Sequence, residues 1–259
     1  MTVRENGFSH VYFLNQLEKA ELTANSVSQG YSLSALYSDV ISEKVAFNAP
    51  SVGIIANFRV ASIDSTQGLS PGVIADSVVI GFTNATDGHI TVYGIDNKLI
   101  LSKDIEFRED EDFSMFHFIT QIVTRVDISL STSTLTDIDI CYLYVGKVIE
   151  LPIHGVDPTF SLDSDSQTER SPTGHVYGIA MPVLKTIEVS FPAITEDEKD
   201  LFMAYFNAVN KIIPHLIDIY PEAHNILQPM FGVITGGMEF ERNTSQNFYS
   251  VDVEWQESS

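Results

Sequence analysis

Seven histidines and 35 acidic residues are the groups in this chain that could carry chemistry, and their spacing limits which chemistry. No His-Glu-x-x-His occurs, so the two-histidine zinc site of a helix face is missing. His215 and His224 flank a proline-broken stretch and cannot share a helical face. His154 and Asp157 share a loop, with His175 after it; zinc accepts such ligands, but this spacing is no zinc signature. The run DIEFREDED (104–112) holds six acids and one arginine. Hard cations want clustered carboxylates, yet the Asp-x-Asp-x-Asp-Gly spacing of a calcium loop is missing, so a solvated loop is expected there. Neither Gly-x-Gly-x-x-Gly nor a phosphate-cradling P-loop is found. Glycoside hydrolysis needs two carboxylates across a sugar, and among so many acids no pair stands out. The expectation is a chain without catalytic residue, metal or cofactor, and not an enzyme. Binding of sugar is a different matter. Tyr31, Tyr37 and Asn84 are the candidate glycan contacts; Trp255 could stack on sugar but continues the Tyr249 face of a strand and reads as core.

Composition narrows the partners. With 35 acids against 14 Lys plus Arg, the formal charge is −21. Such a chain repels phosphate backbones and anionic lipid, so neither nucleic acid nor an anionic membrane is an expected partner. No window offers eighteen uncharged apolar residues, and no membrane span is expected. The single cysteine, Cys141, rules out an internal disulfide and reads as a buried strand thiol. Residues 1–20 lack the apolar run and cleavage site of a signal peptide, which points to synthesis in a cytoplasm.

The elements that must position these groups are mostly strands. From 21 to 150 the sequence runs in short apolar stretches: VAFNA (45–49), SVGIIANF (51–58), SVVIGF (77–82), HITVYGI (89–95), LILS (99–102), MFHFI (115–119), VDISL (126–130) and ICYLYVG (140–146). That rhythm predicts a β-sandwich of jelly-roll type over 1–152, with Asp87–Gly88 as a tight turn and SLSALYSDVIS (32–42) as a weak helix. Residues 153–175 mix Pro, Gly, Ser and Asp and read as a linker or arm anchored by Phe160 and Leu162. An α+β domain follows over 176–259. In KTIEVSF (185–191) and YSVDVEW (249–255) apolar residues alternate with Glu188, Asp252 and Glu254, as in half-buried strands. Between them Thr195 and Glu198 form a capping box ahead of a stripe of Leu201, Phe202, Tyr205, Phe206, Val209, Ile212 and Ile213, which predicts one helix stopped by Pro214. HLIDIY, MFGVIT and MEFER are further strands, with Gly236–Gly237 as a hairpin turn between the last two. Phe202, Phe206 and Trp255 are the expected core and assembly residues.

The stretch from Phe160 to Glu257 resembles the tail-tip and baseplate-associated structural proteins of tailed bacteriophages. Arg170–Ser171, Phe191–Pro192, Thr195, Glu198–Lys199 and Tyr249–Val251 carry the likeness: an arginine-serine loop, a strand, a Phe-Pro-x-x-Thr-x-x-Glu-Lys helix start and a closing strand. TANSVSQGYSLSALYSD (23–39), VVIGFTNA (78–85) and DIDICYLYVGKVIELP (137–152) more loosely resemble galactose-binding-like β-sandwich modules. The first resemblance implies a structural subunit of the virion tail, made in the host cytoplasm. It would form a homo-oligomeric ring, hexameric by analogy, or an adaptor between tail tube or hub and fibres. The second implies the alternative, a carbohydrate-binding adsorption module of the virion that meets a host-surface glycan.

Overall fold

The structure is a computed structural model of the chain. It describes residues 8–38, 43–58, 72–108, 111–133, 137–155, 158–163, 167–170, 173, 176–179, 183–221, 227–243 and 248–258. The strands in chain order are β1 (Phe8–Tyr12), β2 (Ala20–Ala24), β3 (Val45–Phe47), β4 (Ser51–Phe58), β5 (Val73–Thr83), β6 (Asp87–Gly94), β7 (Leu99–Glu106), β8 (Phe113–Ser131), β9 (Ile138–Gly146) and β10 (Ile149–Ile153). They continue with β11 (Thr159–Asp163), β12 (Gln167–Arg170), β13 (Val176–Ile179), β14 (Leu184–Ile194), the helix α1 (Glu196–Val209), β15 (His215–Asp218), β16 (Met230–Ile234), β17 (Glu241–Asn243) and β18 (Phe248–Glu257). The protein is mostly β, the strand pairs described below that do not involve β1 are antiparallel, and α1 is the one α-helix among the described residues. Two compact units result: Tyr12–Ile149 builds the first, Glu150–Ala223 with Asn6–Val11 and Met230–Ser259 the second.

The first unit is a β-sandwich. Its key element is β8, 19 residues long, which belongs to both layers. Residues 113–123 of β8 pair with β5, which pairs in turn with β9, and β9 with β3. Residues 123–131 instead lie between β4 and β6, giving a second layer in the order β7-β6-β8-β4-β2. The sequence predicts two strands here, MFHFI and VDISL; they are halves of one, because no proline or glycine interrupts 113–131 and each half finds its own partners. Inward residues of both layers, among them Ile54, Phe58, Val78, Ile80, Ile90, Val126, Ile128 and Leu143, form one continuous buried core. Burying an apolar side chain of that size contributes about 1.5–3 kcal/mol.

A buried carboxylate of β5 pins a bulge in β8. Ala75 faces Gln121 and Ser77 faces His117, so Phe118, Ile119 and Thr120 of β8 stand opposite Asp76 alone. Its Oδ1 accepts from Ser77 Oγ (2.9 Å) and Val148 N–H (2.9 Å), and its Oδ2 from Thr120 Oγ1 (3.0 Å).

In the first unit one turn and one helix assignment of the sequence change. Asp87 and Gly88 are not a turn; both lie in β6, where Gly88 faces Leu130. A Cβ at Gly88 would stand 2.7 Å from the Ser129 carbonyl, so this glycine serves a close strand approach. The hairpin is instead β6–β7, turned by Asp96 and Asn97, both at φ 57°. That is the left-handed pair a tight hairpin requires. Of the weak helix of 32–42, Leu33–Tyr37 form a 3-10 turn capped by Ser32, and 39–42 lie outside the described residues.

In the second unit the sheet runs β10-β1-β15-β16-β18-β14-β11, with β17 also on β18. Ile187, Val189 and Phe191 face the same side as Val251, Val253 and Trp255, and all are buried. The helix α1 covers this side. Phe202 meets Phe191 edge-on at 5.0 Å between ring centres, and Trp255 Nε1–H donates to the Tyr205 hydroxyl (2.9 Å). The capping box is present: Thr195 N–H donates to Glu198 Oε2 (2.7 Å) and Glu198 N–H to Thr195 Oγ1 (3.3 Å). The helix ends earlier than its apolar stripe suggests. Asn210 and Lys211 adopt φ 44° and 61°, so the chain turns left-handed before Pro214 is reached. Ile212 is consequently 73% exposed. Phe206 is half-buried, whereas Phe202, Tyr205 and Val209 are the buried face.

The Gly236–Gly237 hairpin does not form. β16 pairs with 255–257 of β18 and β17 with 248–250, so both lie along one edge of a strand long enough for two partners. The expected linker or arm of 153–175 contains β11 and β12, and β11 is hydrogen-bonded to β14.

Candidate functional site

Alternation places a polar set on the outer face of the β7-β6-β8-β4-β2 layer. In β6, Ile90 and Val92 point into the core, and His89, Thr91 and Tyr93 point out. In β8, Val126, Ile128 and Leu130 point in, and Arg125, Asp127 and Ser129 out. In β4 the outward residues are Gly53, Ile55 and Asn57. The register aligns them into transverse rows. One row is Thr23–Ile55–Asp127–Thr91–Ser102, and its neighbour is Glu21–Asn57–Arg125–Tyr93. On the other side lie Gly53, Ser129, His89 and Asp104. Asn25 completes that row beyond the end of β2: its Oδ1 accepts from Gly53 N–H (2.6 Å), and its own N–H donates to the Gly53 carbonyl (3.3 Å).

Between these rows lies an open trough of about 500 Å³, lined among others by Asn25, Gly53, Ile55, His89, Asp127 and Ser129. That volume falls in the range of small-ligand sites, about 300–1,000 Å³. Gly53 makes the floor. A Cβ there would meet only Asn25 Oδ1, at 3.8 Å, so the space above it is open. Three strand spacings separate β2 from β6, which is about 14 Å.

Four titratable groups of this face are engaged in two pairs, Arg125 with Asp127 and His89 with Asp104. Arg125 forms a forked pair with Asp127, Nε to Oδ1 at 2.6 Å and Nη2 to Oδ2 at 2.7 Å. The hydrogen bonds to Asp127 hold the guanidinium more firmly protonated than usual. The same guanidinium lies 5.6 Å from the centre of the Tyr93 ring. His89 is held at both nitrogens, Nδ1 by Asp104 (2.7 Å) and Nε2 by Ser102 Oγ (3.0 Å). An imidazole tied at both edges is poorly placed to exchange a proton with a ligand, but its ring plane is fixed and makes a wall. The face therefore offers hydroxyls, an amide, carboxylate lone pairs, the flat apolar Ile55 and, one row along, the Tyr93 ring. These are the components of a binding surface for a polyhydroxylated molecule.

The residues singled out from the sequence lie elsewhere. Tyr31 is exposed and stands near Lys44, which pairs with Asp139 at 2.7 Å. Tyr37 ends the 3-10 turn and packs partly buried against the sandwich core. Asn84 uses both ends of its amide to hold the start of β9: Nδ2 donates to the Asp137 carbonyl (2.9 Å) and Oδ1 accepts from Asp139 N–H (2.8 Å). None of the three is among the residues lining the trough. Cys141 is half-buried, and desolvation pushes its thiol pKa up. Within the acidic run, Asp104 and Glu106 belong to β7 rather than to a loop, Ile105 is buried, and Glu109 and Asp110 lie outside the described residues. His154 packs edge-on to Tyr220, while Asp157, His175 and His224 lie outside the described residues. Among the described residues no group of three or more His, Cys, Asp or Glu is arranged to hold a metal. The sequence contains one Gly-x-Ser-x-Gly, at Gly68–Gly72. Residues 68–71 lie outside the described residues, and Gly72 leads directly into strand β5, not into the helix a nucleophile elbow requires.

The trough residues carried a partial signal. HITVYG and RVDISL each alternate, so His89, Thr91 and Tyr93, and likewise Arg125, Asp127 and Ser129, were legible as shared faces. Their union on adjacent strands depends on register, which residue order alone does not specify.

No family model matches this chain, and no curated protein matches it. Solved structures similar to it include a chitosan-binding module of a chitosanase/glucanase from Paenibacillus sp. IK-5, with 14% identity over 51% of this chain and 98% of that one and a TM-score of 0.38. The lectin domain of lectinolysin, solved with Lewis B antigen, is similar at 9% identity over 52% and 96%, with a TM-score of 0.40. A fucose-binding module from Streptococcus pneumoniae is similar at 10% identity over 52% and 95%, also with a TM-score of 0.40. None of these three reaches a TM-score of 0.5, and their ligands are not assigned to this chain on that basis.

Proposed function

We propose that this protein is a non-catalytic glycan-binding protein that holds a short oligosaccharide in the trough on the outer face of β2, β4, β8 and β6. One observation carries the reading: an open trough of about 500 Å³ whose charged and imidazole groups are locked to one another while hydroxyl and amide groups face the space. Such a surface can hydrogen-bond hydroxyls and pack a sugar's C–H face on Ile55, yet it presents no nucleophile and no poised acid–base pair. The looser sequence resemblance of 23–39, 78–85 and 137–152 to galactose-binding-like modules supports the same class.

The test is Gly53→Val. A valine at this position has backbone room, since the only neighbour of its Cβ is Asn25 Oδ1 at 3.8 Å. Its stability should equal or exceed the parent's, by up to about 1 kcal/mol, because glycine weakens a strand. Its methyl groups would occupy the trough floor. On a glycan array and by calorimetry, binding should fall at least about tenfold, which is about 1.4 kcal/mol. Undiminished binding by a folded Gly53→Val protein would place the ligand elsewhere.

A second reading keeps the chain in a virion tail tip or baseplate as a ring-forming or adaptor subunit. The resemblance of Phe160–Glu257 to tail proteins supports it. So does strand β11, outermost in its sheet's order, which exposes Phe160 (46%) and Leu162 (75%). Apolar side chains on an edge strand favour pairing with another chain. Mass measurement in high salt, where self-repulsion is screened, decides it: a ring supports this reading, and a strict monomer removes it.

A further inference from the structure

Resting on the glycan-binding reading of the trough, we propose that the site takes neutral or amino-bearing oligosaccharides and rejects those carrying carboxylate, sulfate or phosphate. The three rows of the face contain Glu21, Asp104 and Asp127 against a single arginine, Arg125. Both arms of the Arg125 fork that reach Asp127 are already spent, at 2.6 and 2.7 Å. Recognition of a carboxylate or sulfate uses just that fork, so Asp127 occupies the place an anionic sugar would need. His89, the other group able to bear positive charge, walls the trough with its ring, but both its nitrogens are already engaged, by Asp104 at 2.7 Å and by Ser102 at 3.0 Å.

Backbone donors do not fill the gap. β4, β8 and β6 are neighbours in the ladder, so the amides of β8 are engaged with the strands on both sides. Among the described residues the first unit contains no α-helix, so it supplies no helix N-terminus to this face. An anionic ligand would thus meet like charge from Asp104 and Glu21, with the one arginine of these rows already paired, in a chain of formal charge −21. An ammonium group on the ligand meets the opposite situation. Asp127, 27% exposed at its side chain, and Asp104, 94% exposed, keep lone pairs free for a further donor.

The experiment uses the full chain and three oligomers of equal length: N-acetylglucosamine (neutral), glucosamine (cationic) and galacturonate (anionic), by calorimetry at low and moderate salt. The expected result is binding of the neutral and amino oligomers, at least tenfold weaker binding of the galacturonate oligomer, and an amino preference that shrinks with added salt. Asp127→Asn releases the Arg125 fork and should narrow or invert the discrimination against galacturonate. Galacturonate bound as well as the neutral oligomer, and lost in Gly53→Val, would overturn the charge rule while leaving the glycan site standing. Asp127→Asn without any change in the ratio would overturn it too. If neither these three nor a broad glycan array gives binding, the glycan reading itself falls, and the charge rule with it.

Discussion

Acidification should loosen the second unit through one histidine. His215 is buried beneath α1, and its Nδ1–H donates to the Ile213 carbonyl (3.0 Å). Its Nε2 therefore carries the lone pair and accepts from the Tyr205 hydroxyl, whose oxygen in turn accepts from Trp255 Nε1–H (2.9 Å). That chain is complete for neutral imidazole. A proton on Nε2 would face a hydroxyl already committed as donor. Desolvation lowers the His215 pKa from 6.5 to about 4. The unfolded chain thus binds more protons than the folded one between pH 6.5 and 4. The stabilisation is fully present above pH 6.5 and is lost as pH falls through that window. At 1.36 kcal/mol per pH unit the loss is about 2 kcal/mol by pH 5 and about 3 kcal/mol by pH 4. The assay is built in: Trp255 is the only tryptophan, so its fluorescence during urea unfolding reports this unit. Unfolding free energies at pH 7, 6, 5.5 and 5 should decline along this slope, above the range where ordinary carboxylates titrate. His215→Gln should flatten it. A parent protein equally stable at pH 7 and 5 would refute the buried neutral histidine.

Two further predictions concern packing. Phe202→Ala should cost about 3–5 kcal/mol in the same fluorescence assay, because Phe202 is fully buried against Phe191, while Phe206→Ala, half-buried, should cost clearly less. Equal costs would mean that the helix is rotated from the face described. In the sandwich, Asp76→Ala leaves the Thr120 and Val148 donors unmatched and removes one of two partners of the Ser77 hydroxyl; it should cost about 3 kcal/mol, read as a lowered melting temperature and faster amide exchange along β5. Unchanged exchange there would show that the bulge is held by other groups.

Much of the fold could be read from residue order. SVGIIANF is β4 to the residue, because strict alternation puts Val52, Ile54, Ala56 and Phe58 on the core side. Thr195 and Glu198 mark the start of α1, because a capping box is a local device. Where the reading failed, tertiary context overrode a local signal. Gly88 has the composition of a turn but sits in a strand, for close approach to β8. Asn210 closes α1 although the apolar stripe continues to Ile213. The candidate site was harder still. His89, Asp127 and Gly53 are far apart in sequence, and their meeting is a fact of register between β4, β8 and β6. Tyr31, Tyr37 and Asn84 drew notice as residue types suited to sugar, yet Asn84 is consumed in holding β9.

The most direct test of glycan binding on this face is an amide chemical-shift titration of the 28.7 kDa chain with N-acetylglucosamine and glucosamine oligomers. The predicted result is shifts concentrated at Asn25, Gly53, His89, Thr91, Asp127 and Ser129, absent in Gly53→Val. Shifts centred instead on Tyr31 and Asn84, or no shifts with any member of a broad glycan panel, would contradict it.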